Sequence, residues 1–332
     1  MDISLISRSF ELHKQGMGSY SKMLYESIKD EKDFNIKLIS QDNSFFQRDS
    51  PYDYLFFDIF EVPLKLRTSD VYHALSPLES FYLNSKKSIV TILDLIPIKM
   101  FEMGYTSLQS KLIKKFFEKA IKKAIKSQEI VAISEETAND LNIYFGVDID
   151  EIHVVRTSIQ QNFTPLNKKH DIFTIGTVSH LNNRKRVDIL IKAFLKADIQ
   201  NSRLLIGGKG PELDNLKRLS KNDSRIEFLG FIPDEKMNEF YNSLDVFVFP
   251  TIMEGYGLPI VEAMACGKQV ITLDDALIPM DIKNKTHISS NLSNDLKEMN
   301  FDSDIKNNLK FANKHSPENM KKDMVKIYRN IH

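Results

Sequence analysis

The chain has 332 residues, with 45 basic and 45 acidic side chains and no formal net charge. That balance gives no case for a nucleic-acid surface, and the length suits two domains of about 150 residues with a cleft between them. Its one cysteine, Cys266, excludes an internal disulfide framework and any cysteine-based metal cluster and fits a reducing cytosol. The first ten residues do not read as a secretory signal and no run of about eighteen apolar residues occurs, so the chain is expected to be soluble, at most peripheral on a membrane.

Through the first half, short apolar runs recur with helical stretches between them. They are ISLIS from Ile3, NIKLIS from Asn35, YLFFDIF from Tyr54, DVYHA from Asp70, SIVTIL from Ser88, EIVAIS from Glu129 and IHVVR from Ile152. Strands alternating with helices predict a parallel sheet whose ligands lie beyond the carboxyl ends of the strands. Between the first strand and a helix beginning near Ser19 lies FELHKQGMGSYSKML, with Gly16 and Gly18 two apart; alone this is a weak signal, with a plain turn as the other reading. His73 and Asp94 each follow an apolar strand, on the side where the cleft is expected. His73 reads either as an imidazole in the site or as a satisfied structural histidine.

The segment SLQSKLIKKFFEKAIKKAIKS predicts a helix with Leu112, Phe116, Ala120 and Ala124 on one stripe. Lys111, Lys114, Lys115, Lys119, Lys122, Lys123 and Lys126 stand against Glu118 alone. A solvated face is the default for such a run, with contact to a membrane surface or an anionic acceptor as the alternative, and the apolar stripe is expected to pack on the sheet. Ser134 caps the next helix, and the polar stretch 162–169 is the expected domain boundary.

The second half opens with IFTIGTVSHLNNRKRVDILIKAF, a strand, a polar loop and an amphipathic helix starting near Val187. Arg184, Lys185 and Arg186 crowd the helix start, where its dipole disfavours cations, which implies an anion beside them. RLLIGGKGPELDNLKRL then places Gly207, Gly208 and Gly210 between strand and helix, and a further strand–helix–strand follows to DVFVFP at 245–250.

After that strand comes EGYGLPIVE at 254–262. Gly255 and Gly257 permit a tight turn close to a ligand, and Pro259 suits the first turn of a helix. Unpaired backbone donors at the positive end of a helix dipole hold an anion. Glu254 in the loop and Glu262 a turn inside the helix are placed to accept hydrogen bonds from sugar or ribose hydroxyls. The strand QVITL and, after Ser316-Pro317, an amphipathic helix end the chain.

The stretch PTIMEGYGLPIVEAMACGKQVI resembles the donor-binding signature of the retaining glycosyltransferases of family 4, the glycosyl transferases group 1 type. That resemblance implies the α/β GT-B fold, two Rossmann-like domains facing across a cleft, with the C-terminal helix crossing back to the first. Applied to this chain it implies an acceptor-binding domain at 1–167, a nucleotide-sugar domain at 168–312 and a returning helix at 313–332. The implied activity is transfer of a mannose- or glucose-type hexose from a nucleotide diphosphate sugar to a glycan, lipid-linked or small-molecule acceptor, with no metal and no cofactor. The alternative is a non-catalytic subunit that keeps nucleotide or acceptor binding.

By the same resemblance Glu254, Lys185 and Asp94 carry catalysis. Donor binding falls to Gly16, Gly18, His180, Arg184, Lys185, Gly208, Phe231, Glu254, Gly255, Tyr256, Gly257, Leu258 and Glu262, and the acceptor side to Met17 and His73. Lys185 would hold the diphosphate, Glu254 the sugar hydroxyls and Glu262 the ribose. The chain departs from the pattern at Leu93, where relatives have a histidine, at His180, where they have an arginine, at Thr157-Ser158, and after the QVITL strand. The expected location is cytoplasmic, with the 111–126 helix as the candidate for peripheral contact with the inner face of the cell membrane.

Overall fold

A computed structural model describes residues 1–10, 15–43, 57–66, 68–83, 87–166, 171–299, 301 and 303–331. The chain divides into two compact units, Met1–Ser158 with Ser316–His332, and Ile159–His315.

The first unit holds β1 (Asp2–Ile6), α1 (Gln15–Ile28), β2 (Asn35–Ile39), α2 (Val62–Lys65), β3 (Val71–Ala74), β4 (Ser88–Ile92), α3 (Ile96–Glu102), α4 (Leu108–Ala124), β5 (Glu129–Ala132), α5 (Glu135–Phe145) and β6 (Ile152–Val154). The strands form one sheet in the order β2-β1-β3-β4-β5-β6, and every pairing is parallel. Near-continuous apolar strands suit such a sheet because helices cover both faces: Ile3, Leu5, Ile6, Val71, Val90 and Ile92 are all fully buried.

The second unit holds β7 (Phe173–Val178), α6 (Val187–Ala197), β8 (Ser202–Gly207), α7 (Leu213–Leu219), β9 (Ile226–Gly230), α8 (Asp234–Asn242), β10 (Val246–Phe249), α9 (Leu258–Ala265), β11 (Gln269–Leu273), α10 (Met280–Lys283), β12 (His287–Ser289), α11 (Leu292–Glu298) and α12 (Ile305–Ala312). Its sheet is also parallel, in the order β12-β11-β10-β7-β8-β9. In both sheets the first strand has its successor on one side and a later strand on the other. This creates a switch point, between β1 and β3 in the first unit and between β7 and β10 in the second.

The last helix, α13 (Pro317–Asn330), returns to the first unit and packs on α1. Ser316 caps it, accepting from the Asn319 amide, and Met320, Met324, Ile327 and Tyr328 are its buried face. Arg329 adds charged contacts to Glu31 and Asp33, each at 3.0 Å.

Three expectations are corrected. The run YLFFDIF is not a strand where it is described: Phe57–Glu61 is a π-helical turn leading into α2, and residues 54–56 lie outside the described residues. Pro63 accounts for this, since it has no amide for a ladder and a φ suited to a helix start.

Helix α1 begins at Gln15 rather than near Ser19, so Gly16 and Gly18 occupy its first turn, with Gly16 at a non-helical φ of 27°. The rest of that loop, 11–14, lies outside the described residues.

The units divide at Ser158 rather than at 167, and the chain returns at Ser316 rather than at 313. Residues 162–166 are no loose linker. The Thr164 and Leu166 amides donate to Asn238 and Asn242 side chains at 3.2 and 2.7 Å, and Phe163 is buried, which ties the stretch onto α8; the expected boundary's remainder, 167–169, lies outside the described residues.

Candidate functional site

The second unit's switch point gathers the densest set of the residues singled out above. Leaving β7, the chain makes a short 3-10 turn, Asn183–Lys185, capped by the Asn182 side chain, which accepts from the Lys185 amide. Arg186 then takes a left-handed φ of 49°, and α6 begins. Leaving β10, the chain passes through Pro250 to Glu254, turns at Gly257 with φ 100°, and enters α9 with Pro259 in its first turn and no side-chain cap. Both loops lie beyond the carboxyl ends of adjacent strands.

Between them Lys185 Nζ donates to Glu254 Oε1 at 2.5 Å. Thr251 Oγ1 donates to the same oxygen at 2.6 Å, and an Arg184 guanidinium nitrogen stands 3.1 Å from it. Arg184 also donates to the Met253 carbonyl, while the Lys185 ammonium lies 4.9 Å over the Phe249 ring. Burial works to raise the Glu254 pKa, but Lys185, Arg184 and Thr251 outweigh it and hold the carboxylate below its ordinary range. For Lys185 burial prevails over Glu254, and its pKa falls below the usual lysine value.

The third cation is spent differently. Arg186 donates to the Pro250 carbonyl at 2.8 Å and the Thr251 carbonyl at 2.9 Å, and grips Asp275 with both terminal nitrogens at 2.6 and 2.8 Å. It staples the loop after β10 in place, which corrects the expectation that three cations surround one anion.

Gly208 shapes the neighbouring loop. Its φ is 114°, and a Cβ there would sit 1.8 Å from the Ser179 carbonyl oxygen, so only glycine lets the turn after β8 close on the turn after β7. The Gly208 amide donates to the Gly230 carbonyl at 2.6 Å, joining the β9 turn that carries Phe231, which is half exposed. His180 is partly buried at the end of β7, and its carbonyl accepts from the Asn182 amide at 2.9 Å. Gly255 and Leu258 are partly exposed in the loop and at the first position of α9.

Two expected donor residues have other partners. Tyr256 is buried, and its hydroxyl lies 2.5 Å from His315 Nε2, so its side chain points into the second unit's core; its backbone remains in the loop. Glu262 accepts from the buried Tyr241 hydroxyl at 2.7 Å. Burial pushes the Glu262 pKa up to about 7, and nearby Asp234 adds to the rise. Cys266, at the end of the same helix, is a buried thiol pushed up to about 12, chiefly by burial.

The residues expected in the first unit are described there alone. His73 is corrected from an acceptor-side group to a strut. It has no exposed surface, its Nδ1 lies 2.6 Å from the Tyr328 hydroxyl and its Nε2 2.8 Å from Thr91 Oγ1, which in turn meets the Tyr20 hydroxyl at 3.1 Å. Burial pulls its pKa down to about 3. Asp94 follows β4 as expected, but its Oδ1 accepts from the Ile96 amide, the first of α3, at 3.0 Å. Met17 is half buried and Gly18 buried in α1, with Gly16 exposed at its start.

Sequence reading missed Thr251, Phe249, Asp275 and Tyr241. Thr251 carried a local signal, a hydroxyl directly after a strand-ending proline; the other three act through contacts made by folding. Among the described residues no group of three or more His, Cys, Asp or Glu side chains is placed to hold a metal ion.

Residues 158–299 match the family described as Glycosyl transferases group 1. The chain is similar to O-antigen chain mannosyltransferase B of Escherichia coli, 24% identical over 184 residues, covering 50% of this chain and 48% of that protein. It is similar also to the serotype-specific mannosyltransferase WbdA of Escherichia coli, 24% identical over 214 residues, covering 58% of this chain and 26% of that protein. The matches thus span about half or less of these curated relatives.

Among solved structures, the sucrose-phosphate synthase of Thermosynechococcus elongatus aligns with a TM-score of 0.73 at 16% identity, covering 99% of this chain and 98% of that one. Anabaena HepE in complex with UDP and glucose aligns with a TM-score of 0.71 at 16% identity, covering 99% and 100%. The fold is GT-B, built from two Rossmann-like units.

Proposed function

From a chain that belongs to the glycosyl transferases group 1 family through residues 158–299, we propose an enzyme that transfers a hexose, of mannose or glucose type, from a nucleotide diphosphate sugar to a glycan, lipid-linked or small-molecule acceptor. The transfer retains the anomeric configuration and uses neither metal nor cofactor. The enzyme works in the cytoplasm, with the basic 111–126 helix as its candidate contact with the inner face of the cell membrane.

One observation carries the reading: a lysine and a glutamate, both largely buried, share a hydrogen bond at the switch point, before the start of α9, which has no side-chain cap. In the free protein each charge satisfies the other. On donor binding, Lys185 turns to the diphosphate, where a cation in a desolvated site stabilises the charge that grows as the sugar departs. The start of α9, the positive end of its dipole with no side-chain cap, supplies further positive potential. Glu254, released from Lys185 and still held by Thr251, accepts hydrogen bonds from the sugar hydroxyls. Arg184, already bridging Glu254 and Met253, stands beside both. No carboxylate is assigned as a nucleophile: the acceptor attacks on the face from which the diphosphate leaves, and the departing phosphate takes the acceptor proton.

The test is a screen of UDP-, GDP- and ADP-sugars for nucleotide release by the wild type, Lys185→Ala and Glu254→Ala. Slow hydrolysis of one donor, lost in both variants, supports the transferase and names the donor. Nucleotide-induced thermal stabilisation with no cleavage of any donor, even with broad acceptor mixtures, rejects it in favour of a binding subunit.

A further inference from the structure

The stretch after β11, where the chain departs from the pattern of its relatives, cradles the loop that carries Glu254. The Leu277 amide donates to the Ile252 carbonyl at 2.7 Å, and the Leu277 carbonyl accepts from the Glu254 amide at 2.9 Å, a short parallel bridge centred on Met253. Two residues earlier, Asp275 takes both terminal nitrogens of Arg186, whose remaining bonds go to the Pro250 and Thr251 carbonyls. Ile278 lies beside Gly257, its Cγ2 3.6 Å from the position a Cβ would take there. Residues 275–278 therefore meet the loop 250–257 at its beginning, its middle and its end.

One side chain in turn holds this cradle. Lys283, the last residue of α10, is 8% exposed, and its Nζ donates to the Asp274 and Ala276 carbonyls, each at 2.7 Å. These carbonyls belong to the peptides that lead into Asp275 and into Leu277, the two residues that reach the Glu254 loop by hydrogen bonds. The lysine's own backbone is fixed as well. Its carbonyl accepts from Thr286 Oγ1 at 2.8 Å, and that hydroxyl lies 2.6 Å from Thr272 Oγ1 on β11. Arg186 above all holds the Asp275 carboxyl below its ordinary range, and the Lys283 charge adds to the effect.

Burying an ammonium is costly unless its donors are used. Here they orient two peptides at once, and those peptides set the backbone on which Glu254 stands. Lys185 stands elsewhere, on the turn after β7, which keeps its own Asn182 cap. The hold on the sugar and the hold on the diphosphate thus depend on different supports.

We propose that Lys283 is a positioning residue of the donor site: with Asp275 it fixes the cradle that sets where Glu254 presents its carboxylate to the sugar. The proposal deepens, and rests on, the reading that Glu254 holds the sugar hydroxyls.

Lys283→Met tests it, since the substitution keeps most of the apolar stem and removes the donors. Working below the melting temperature, the full-length variant binds UDP, GDP or ADP, whichever the wild type prefers, within about twofold of the wild type. Cleavage of the matching nucleotide sugar falls by about tenfold to a hundredfold, mostly in kcat, because a misplacement of about 1 Å suffices for such a loss. Amide exchange quickens over 250–257 and 274–278 and is unchanged in α7.

A variant that cleaves like the wild type overturns the proposal. So does one whose nucleotide affinity and cleavage fall together, or whose exchange quickens throughout the second unit, since either makes Lys283 a general structural support. Where Lys283→Met does not fold, Asp275→Asn carries the same measurements, its side chain being 62% exposed: the same split upholds the cradle, and wild-type kcat overturns it. A wild type that binds a nucleotide sugar and never cleaves it counts against the transferase alone. Positioning is then read from binding, since a correctly held Glu254 makes the nucleotide sugar bind more tightly than the bare nucleotide and Lys283→Met erases that difference. A wild type that binds no nucleotide overturns both.

Discussion

The two units share a sheet topology, yet they use the polar residues at their strand ends in opposite ways. In the first unit His73 and Asp94 stand where a ligand site is expected, but protein groups engage them: His73 bonds Thr91 and Tyr328, and Asp94 accepts from the Ile96 amide at the start of a helix. In the second unit Lys185 and Glu254 hold each other, and each is a charge that an anion or a hydroxyl can draw away. Position beyond a strand end marks a place where a site can form. What separates site from strut is whether the partner of the polar group is exchangeable.

The sharpest way to break this comparison is to remove one partner of the exchangeable pair. Lys185→Ala and Glu254→Ala are each expected to lower kcat/KM for donor cleavage by about 10²–10³, as when a preorganised charge is deleted from an active site. Each also strips a largely buried charge of its nearest partner, so both melt earlier than the wild type. The double variant Lys185→Met/Glu254→Gln should regain stability and not turnover. If it regains turnover as well, the pair is structural and the distinction fails.

Next in size is the backbone that shapes the site. Gly208→Ala forces a Cβ onto the Ser179 carbonyl at a φ of 114°, and a loss of about 3 kcal/mol or more is expected in urea unfolding. Gly230→Ala is the control: its φ is 67° with nothing within 4 Å of a Cβ, so only the conformational strain of about 1–2 kcal/mol applies. Equal losses in the two variants would mean that the turn after β8 relaxes and that close approach is not what selects glycine.

The strut in the first unit predicts stability effects without catalytic ones. His73→Phe leaves the Thr91 and Tyr328 hydroxyls short of partners in a buried place, at about 2 kcal/mol. Donor cleavage by this variant should match the wild type. With the His73 pKa drawn down to about 3, the unfolded chain binds this proton more readily than the folded one. Stability therefore falls as pH drops below about 6.5 toward 3, and the variant should lack that part of the acid loss. A steeper acid limb in the variant would contradict the assignment.

The strand, loop and helix around 254–262 were legible because each signal is local: a continuous apolar run, two glycines, and a proline at a helix start. Lys185 was legible for the same reason, as a cation where a helix dipole disfavours one. His73 and Tyr256 were not. Their roles are fixed by Tyr328, 255 residues away, and by His315, 59 residues away, and no window of sequence contains both partners. The stripe on α4 lies between these cases. Periodicity defines which residues share a face, and only the fold decides that Leu108 and Leu112 stay exposed while Ala120 and Ala124 are buried. The run at 54–60 misled because apolar content alone does not distinguish a strand from the helical turn found at Phe57–Glu61, and Pro63 was the signal that outweighed it.

Glu262 gives the smallest expected effect and refines the comparison within the second unit itself. It lies in the same helix as the exchangeable site, yet its partner is Tyr241, a buried hydroxyl of the core. Burial raises its pKa to about 7, so between about 4.5 and 7 the folded chain binds a proton that the unfolded chain has released. Stability contributed by the protonated carboxyl is present below about 4.5 and is lost as pH rises to about 7. The slope is measurable as a fall in melting temperature over that window, worth about 1–2 kcal/mol after allowance for partial exposure. Glu262→Gln keeps the shape and cannot ionise, so it should flatten the slope and melt higher than the wild type near pH 8. If Glu262 also serves the ribose, a bound nucleotide favours the ionised form and displaces Tyr241, and saturating nucleotide should reduce the slope in the wild type while leaving the variant unchanged. A slope that nucleotide leaves intact would place Glu262 with His73 among the struts, and the exchangeable site would then end at Glu254.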